Sequence, residues 1–238
     1  MSGHSKWATI KRKKALVDAK RGKAFTNLIK EITIAARTGG GDSGGNPRLR
    51  TLLEKAKDIN MPTENISRAI KRGTGELPGT TYEAVTYEGY GPAGIAIMVD
   101  TLTDNRNRTV AELRHIFTSY GGNLAETGAV NWLFQRMGIV TVNAARTTED
   151  QLLALLIDFN IVDIKQEDDV FTIITDTKEV DLVKTTLGNV GLTVESADIE
   201  WVATTPVTVA KEREQAILDL LEALENHDDV QNVYSNIT

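Results

Sequence analysis

The sequence predicts an α+β multidomain protein: an N-terminal helical domain plus two α/β domains, one ferredoxin-like (βαββαβ) and inserted into the other. Three observations carry this. Apolar residues recur at intervals of three and four up to about residue 79, then alternate from about residue 80. Residues 137–203 read strand, helix, strand, strand, helix, strand without interruption. The ββαβ pattern before that stretch and the αβ pattern after it are each too short to close a layered unit alone, but together they make one. The expected boundaries are therefore 1–79 for the basic helical domain, 80–135 with 204–238 for a discontinuous α/β domain, and 136–203 for the inserted one. Three domains in simple chain order is the competing arrangement.

The elements follow in order. Residues 8–22 carry few helix breakers and suit a helix or an extended arm. Phe25, Leu28, Ile29, Ile32 and Ala36 share one helical face. The run GGGDSGG at 39–45 stops that helix in a flexible loop, and Pro47 suits the first turn of the next. Leu49, Leu52, Leu53, Ala56 and Ile59 form its stripe. Pro62 ends it, and Thr63 can cap a short helix carrying Ile66, Ala69 and Ile70. Segments 81–89 and 95–102, joined by GYGPAG, predict a hairpin. Thr109 with Glu112 is a capping-box signature for a helix whose buried face is Val110, Leu113, Phe117 and Tyr120. AVNWLF at 129–134 predicts a strand, and GIVTV opens the βαββαβ run, with helices over 148–159 and 179–190. A helix over 210–226, with Ala216, Leu220, Leu221 and Leu224 inward, and a short strand over 229–236 close the chain.

Composition narrows the function. No cysteine is present among the 238 residues, which excludes disulfides and thiolate chemistry and suits a reducing cytoplasm. No apolar run reaches the length of a membrane span, and no signal-peptide core follows the basic N-terminus, so no membrane partner is expected. Charge is unevenly divided. Residues 1–79 hold 17 basic and 7 acidic side chains, net +10, whereas 80–238 hold 10 and 26, net −16. A division of this kind joins a segment facing a polyanion to one facing solvent or protein.

Catalytic motifs fail on context. Gly39-Gly41-Gly44 and Gly89-Gly91-Gly94 both match the dinucleotide fingerprint G-x-G-x-x-G, but a helix precedes the first and a strand follows the second. His4, His115 and His227 lack ligand-like neighbours at metal spacing, and Glu112 with His115 has no second pair to complete a site. No G-x-S-x-G elbow occurs. The acids Glu167-Asp168-Asp169 and Asp228-Asp229 fall in predicted turns, where solvated side chains are expected. No catalytic residue, cofactor or metal is assigned, and no enzyme is expected.

The basic residues are the better candidates. Lys6, Lys11, Arg12, Lys13, Lys14, Lys20, Arg21 and Lys23 crowd the first 23 positions against a single acid, Asp18. Such a cluster neutralises phosphates and releases counterions without reading sequence. Trp7 among them either stacks on an unpaired base or anchors the segment to its own domain. Lys71 and Arg72 extend the basic exterior formed by Arg48, Arg50, Lys55, Lys57 and Arg68. Arg106 and Arg108 just before a helix N-terminus either bind an anion or pair with carboxylates such as Asp100 and Asp104. The acidic ferredoxin-like stretch would repel a nucleic-acid backbone and is better suited to protein.

Several motifs in order carry a resemblance: GHSKW (3–7), DAKRGK (18–23), NPRLR (46–50), NMP (60–62), IKRGTGEL (70–77), TYEGYGPAG (86–94), LTDNRNRTVAELRHIF (102–117) and GGNL (121–124). On these the chain resembles the YebC/PmpR family over about 1–140, and more weakly beyond. The resemblance implies a cytoplasmic, non-enzymatic protein of three domains, the first helical. It implies a probable DNA-binding transcriptional regulator. Related mitochondrial proteins look like translational activators, and some bacterial members are similar to ribosome-associated factors that help difficult peptides through. The implied partner is therefore DNA or RNA, ribosomal RNA foremost, with ribosomal or transcription proteins beside it.

Overall fold

The structure is a computed structural model that describes residues 21–238. The described residues fall into two compact units, one reaching to Ala129 and including Ala210–Val233, the other comprising Val130–Val209 and Tyr234–Thr238.

The first unit opens with three helices, α1 (Arg21–Gly39), α2 (Pro47–Asp58) and α3 (Thr63–Gly73). Leu28, Ile32 and Ala35 of α1 pack with Leu49, Leu52 and Ala56 of α2, Ala69 of α3, and Met61 between them. The predicted stripes are the buried ones. Contact between α1 and α3 is close enough that a Cβ on Gly73 would lie 2.4 Å from the Thr33 carbonyl oxygen. The glycine-rich connection is pinned rather than loose. Asn46 is buried, its amide nitrogen donates to the carbonyls of Ala35 and Gly40, and its carboxamide oxygen caps α2 by accepting from the Leu49 N–H. Arg50 donates to the Ser43 and Gly44 carbonyls from the other side.

The first sheet follows. Strands β1 (Glu83–Tyr90) and β2 (Ala96–Thr103) form the predicted antiparallel hairpin, with Tyr87 opposite Val99. Next come helix α4 (Arg106–Ser119) and the two-residue β3 (Asn123–Leu124). The second unit supplies β4 (Phe134–Asn143), α5 (Glu149–Leu155), β5 (Ile161–Glu167), β6 (Val170–Thr175), α6 (Val180–Asn189) and β7 (Val194–Ala203). The chain then returns through α7 (Lys211–Asn226) to β8 (Val230–Ser235). The sheet orders are β3-β1-β2-β8 and β5-β6-β4-β7. All the strands of the second sheet thus lie in the chain between β3 and β8, and its order has the first and third strands of the unit, β4 and β6, at the centre, as a ferredoxin-like βαββαβ unit requires. Its core is apolar: Val140, Val142, Ile164, Phe171 and Ile173 from the strands meet Leu152, Leu156, Val183 and Leu187 from α5 and α6.

Further local expectations change, and α5 ends at Leu155 rather than running to residue 159. AVNWLF is not a separate strand: residues 131–133 form a 3₁₀ turn, and only Phe134 begins β4, which runs on through GIVTV. The cap of α4 is Asn105, not Thr109; Asn105 accepts from the Arg108 N–H, and Thr109 is buried inside the helix. Tyr120 is exposed beyond the end of α4, whose buried face is Thr109, Leu113 and Phe117. In α7 the inward residue is Ile217 rather than Ala216.

Candidate nucleic-acid interface

Helix α1 has a second face, polar rather than apolar. Lys23, Asn27 and Lys30 stand at i, i+4 and i+7, so they align on one side. All three donate to the end of α7 and the start of β8. Lys23 Nζ reaches the carbonyls of Glu225 and, at 2.7 Å, His227. Asn27 Nδ2 reaches the Val230 carbonyl at 3.3 Å. Lys30 Nζ uses its three donors on the Leu102 carbonyl (3.2 Å), the Asp228 carbonyl (3.0 Å) and Asp229 Oδ1 (2.9 Å). The last carbonyls of a helix lack intrahelical partners and carry partial negative charge, so cations suit them.

Asp229 is the centre of this seam. Its side chain is 5% exposed. Oδ1 accepts from Lys30, while Oδ2 accepts from Arg108 Nη2 at 2.7 Å and Thr109 Oγ1 at 2.8 Å. Burial pushes its carboxyl up, but the hydrogen bonds from Lys30, Arg108 and Thr109 outweigh that and hold it well below the usual carboxylate range. Arg108 also meets Asp104 at 2.8 Å, and hydrogen bonds to Asp229 and Asp104 push its guanidinium above its ordinary value. The reading of Asp229 as a solvated turn acid is corrected: the turn is there, but the carboxylate points inward to two cations.

An open pocket of about 740 Å³ lies over this cluster, lined by Thr26, Lys30, Tyr82, Arg108, Glu112 and His227 among others. Glu112, His227 and Asp229 present ligand atoms within 4.8 Å of one another. Those atoms are already engaged. The Asp229 N–H donates to His227 Nδ1 at 3.1 Å, which places the ring proton on Nε2, and Nε2 faces Glu112 Oε2 at 2.8 Å. A divalent ion there would also sit against Lys30 and Arg108. The arrangement is an ion-pair network. Glu112 thus meets His227 and, at 3.9 Å, Arg108 Nε.

The predicted site residues sort into three groups. Lys6, Trp7, Lys11, Arg12, Lys13, Lys14 and Lys20 lie outside the described residues; Arg21 begins α1. Lys23 and Arg108 make the intramolecular contacts above, and the Arg108 side chain is also 43% exposed. Lys71, Arg72 and Arg106 are exposed, as are Arg48, Lys57 and Arg68. Arg68 pairs with Glu64 one turn away. Arg106 is the first residue of α4 rather than lying before it, and its charge opposes the burial that pushes the Tyr87 hydroxyl up. Lys30, Thr109 and Asp229 were missed as a set, and the i, i+4, i+7 polar stripe on α1 was the one local signal for them.

The family model described as TACO1/YebC protein N-terminal domain matches residues 5–76, and that described as TACO1/YebC second and third domain matches residues 82–237. The chain belongs to the TACO1/YebC family. It is 53% identical over 238 residues to a protein of Chlorobaculum tepidum named probable transcriptional regulatory protein, covering 100% of this chain and 95% of that one. A protein of the same name from Desulfotalea psychrophila is 51% identical over 237 residues, covering 99% and 95%. Among solved structures, a conserved hypothetical protein of Aquifex aeolicus superposes with a TM-score of 0.86 at 47% identity, covering 94% of this chain and 93% of that one. No described helix is long and apolar enough to cross a membrane.

Proposed function

We propose that this protein is a non-enzymatic, nucleic-acid-binding regulator of gene expression, acting in the cytoplasm as a DNA-bound transcriptional regulator. The observation that carries the reading is the exposure of Arg48 and Lys57 on α2 and of Lys71 and Arg72 on α3, within a 1–79 segment of net +10 that includes the basic first 23 residues. The names of the relatives support the transcriptional mode. In this reading Lys6, Lys11, Arg12, Lys13, Lys14, Lys20 and Arg21 contact phosphates, with Lys71, Arg72 and Arg106 beside them and Trp7 as a stacking group. Lys23 and Arg108 hold the fold that presents them. The division into 1–79, 80–135 with 204–238, and 136–203 belongs to the same reading, with the basic domain as the binding part.

A second reading, a translation factor bound to ribosomal RNA or tRNA that assists difficult peptides, is favoured by one feature. The first turn of α3 presents Glu64, tied to Arg68, and a single Asn65 rather than several Arg, Asn or Gln side chains suited to base edges. Titration of a promoter duplex, a matched random duplex and ribosomal RNA at physiological salt separates the two. Tighter binding to the promoter supports DNA-bound regulation. Equal duplex binding with co-sedimentation on ribosomes supports the second reading. No binding to any of the three overturns both.

A further inference from the structure

We propose that the outer face of helices α5 and α6, with the turns that follow them, is a docking surface for a basic protein segment that carries apolar side chains. Each helix already buries its proper stripe: Leu152 with Leu156 just past the end of α5, and Val183 with Leu187 of α6, are fully inside the core. Yet four large apolar residues point away from it. Ile157 is 79% exposed, Leu182 59%, Val190 54% and Leu153 49%. Single exposed apolar side chains are ordinary, but several on adjoining elements mark an interaction surface.

The two helices do adjoin. Both cover the same face of the second sheet. The Asn160 backbone N–H donates to Glu179 Oε2 at 2.7 Å, and Asn160 Nδ2 donates to Glu179 Oε1 at 2.9 Å. That link joins the end of α5 to the start of α6, with Ile157 three residues before it and Leu182 three residues after it.

Charge selects the occupant. The segment from 149 to 184 that builds the two helices and their flanks offers the exposed acids Glu149, Asp150, Asp158 and Asp181 around the apolar residues, against Lys178 and Lys184. Residues 134–203 as a whole hold 13 acidic and 5 basic side chains. Such a rim repels nucleic acid and anionic lipid and steers a cationic partner, while the apolar residues need a partner with apolar side chains of its own. The inference is independent of which nucleic acid the basic domain binds, and of whether it binds one.

The test places the photo-crosslinking residue p-benzoylphenylalanine at Ile157, and in a second variant at Leu182, of the full chain in its native cell. The expected result is an adduct with a protein segment of net positive charge at one or both positions. The triple variant Asp150→Lys, Asp158→Lys, Asp181→Lys should lower its yield by about tenfold. Deleting residues 1–20 should leave the adduct in place, which separates this result from the fate of the nucleic-acid reading. An adduct with nucleic acid, with a second copy of this chain or with an acidic protein segment overturns the proposal. So does an adduct indifferent to charge reversal, or none at either position.

Discussion

The two sheets have four strands each, and helices pack on both through apolar side chains, but a buried charged seam ties α1 beside the first. Around the first, Lys23, Asn27 and Lys30 dock α1 through hydrogen bonds, and Asp229 gathers Lys30, Arg108 and Thr109. In the second, α5 and α6 lie on the sheet mainly through apolar side chains, with Leu152, Leu156, Val183 and Leu187 at the contact, and Thr175 Oγ1 of β6 donates to Glu179 at the start of α6. Apolar burial is non-directional and tolerates repacking. A buried polar network demands every partner, and losing one leaves the others exposed to the cost of burial. The first unit should therefore fail sharply when one atom of the seam is removed, and the second only when volume is wrong.

The largest effect is expected at the seam. Asp229→Ala leaves the Lys30 ammonium buried without its counter-ion and should cost about 3–5 kcal/mol in denaturant unfolding. A loss below about 1 kcal/mol, the range of exposed pairs, would show that the seam is not a buried network. The same carboxylate sets a pH dependence. Its folded pKa is depressed, so its stabilisation is fully present above its unfolded value of about 4 and is lost as pH falls below that. Stability should decline on acidification below about pH 4 in the wild-type chain, and the decline should be shallower in Asp229→Asn.

The second unit should answer to shape instead. A Cβ on Gly138 would lie 2.3 Å from Val180 Cγ2, where β4 meets α6. Gly138→Ala should therefore cost about 1–3 kcal/mol through overpacking. The smallest effect is expected in the exposed turn that follows α5. Ile157→Ser should change unfolding free energy by no more than about 0.5 kcal/mol, because the side chain contributes nothing to the core it sits beside. A large loss there would assign Ile157 to the fold rather than to a partner.

Much of the fold was legible. The α1 and α2 stripes, the β1–β2 hairpin and the βαββαβ order all rest on periodicities confined to short windows. The return of β8 to the first sheet was legible by elimination, since ββαβ and αβ were each incomplete. The charged seam was not. Lys30 and Asp229 are 199 residues apart, and each has a bland local reading, a helix-surface lysine and a turn acid. At 105–112 two cap signals overlapped: Thr109 with Glu112 satisfied the local rule, but Asn105 won because Thr109 is drawn inward by Asp229 and by Thr103 Oγ1 at 2.7 Å. Exposure of Lys71, Arg72 and Arg106 followed from composition, whereas the internal engagement of Lys23 and Arg108 depended on partners far along the chain.

The central claim is that the basic end binds a polyanion through its phosphates. Deleting residues 1–20 removes Lys6, Lys11, Arg12, Lys13, Lys14 and Lys20 while sparing Lys23, which the end of α7 requires. The decisive measurement is the slope of log binding constant against log salt for duplex DNA, with and without that segment. If all six cations contact phosphates, the deletion should flatten the slope by about 5 and remove most of the affinity. An unchanged slope with unchanged affinity would contradict the account.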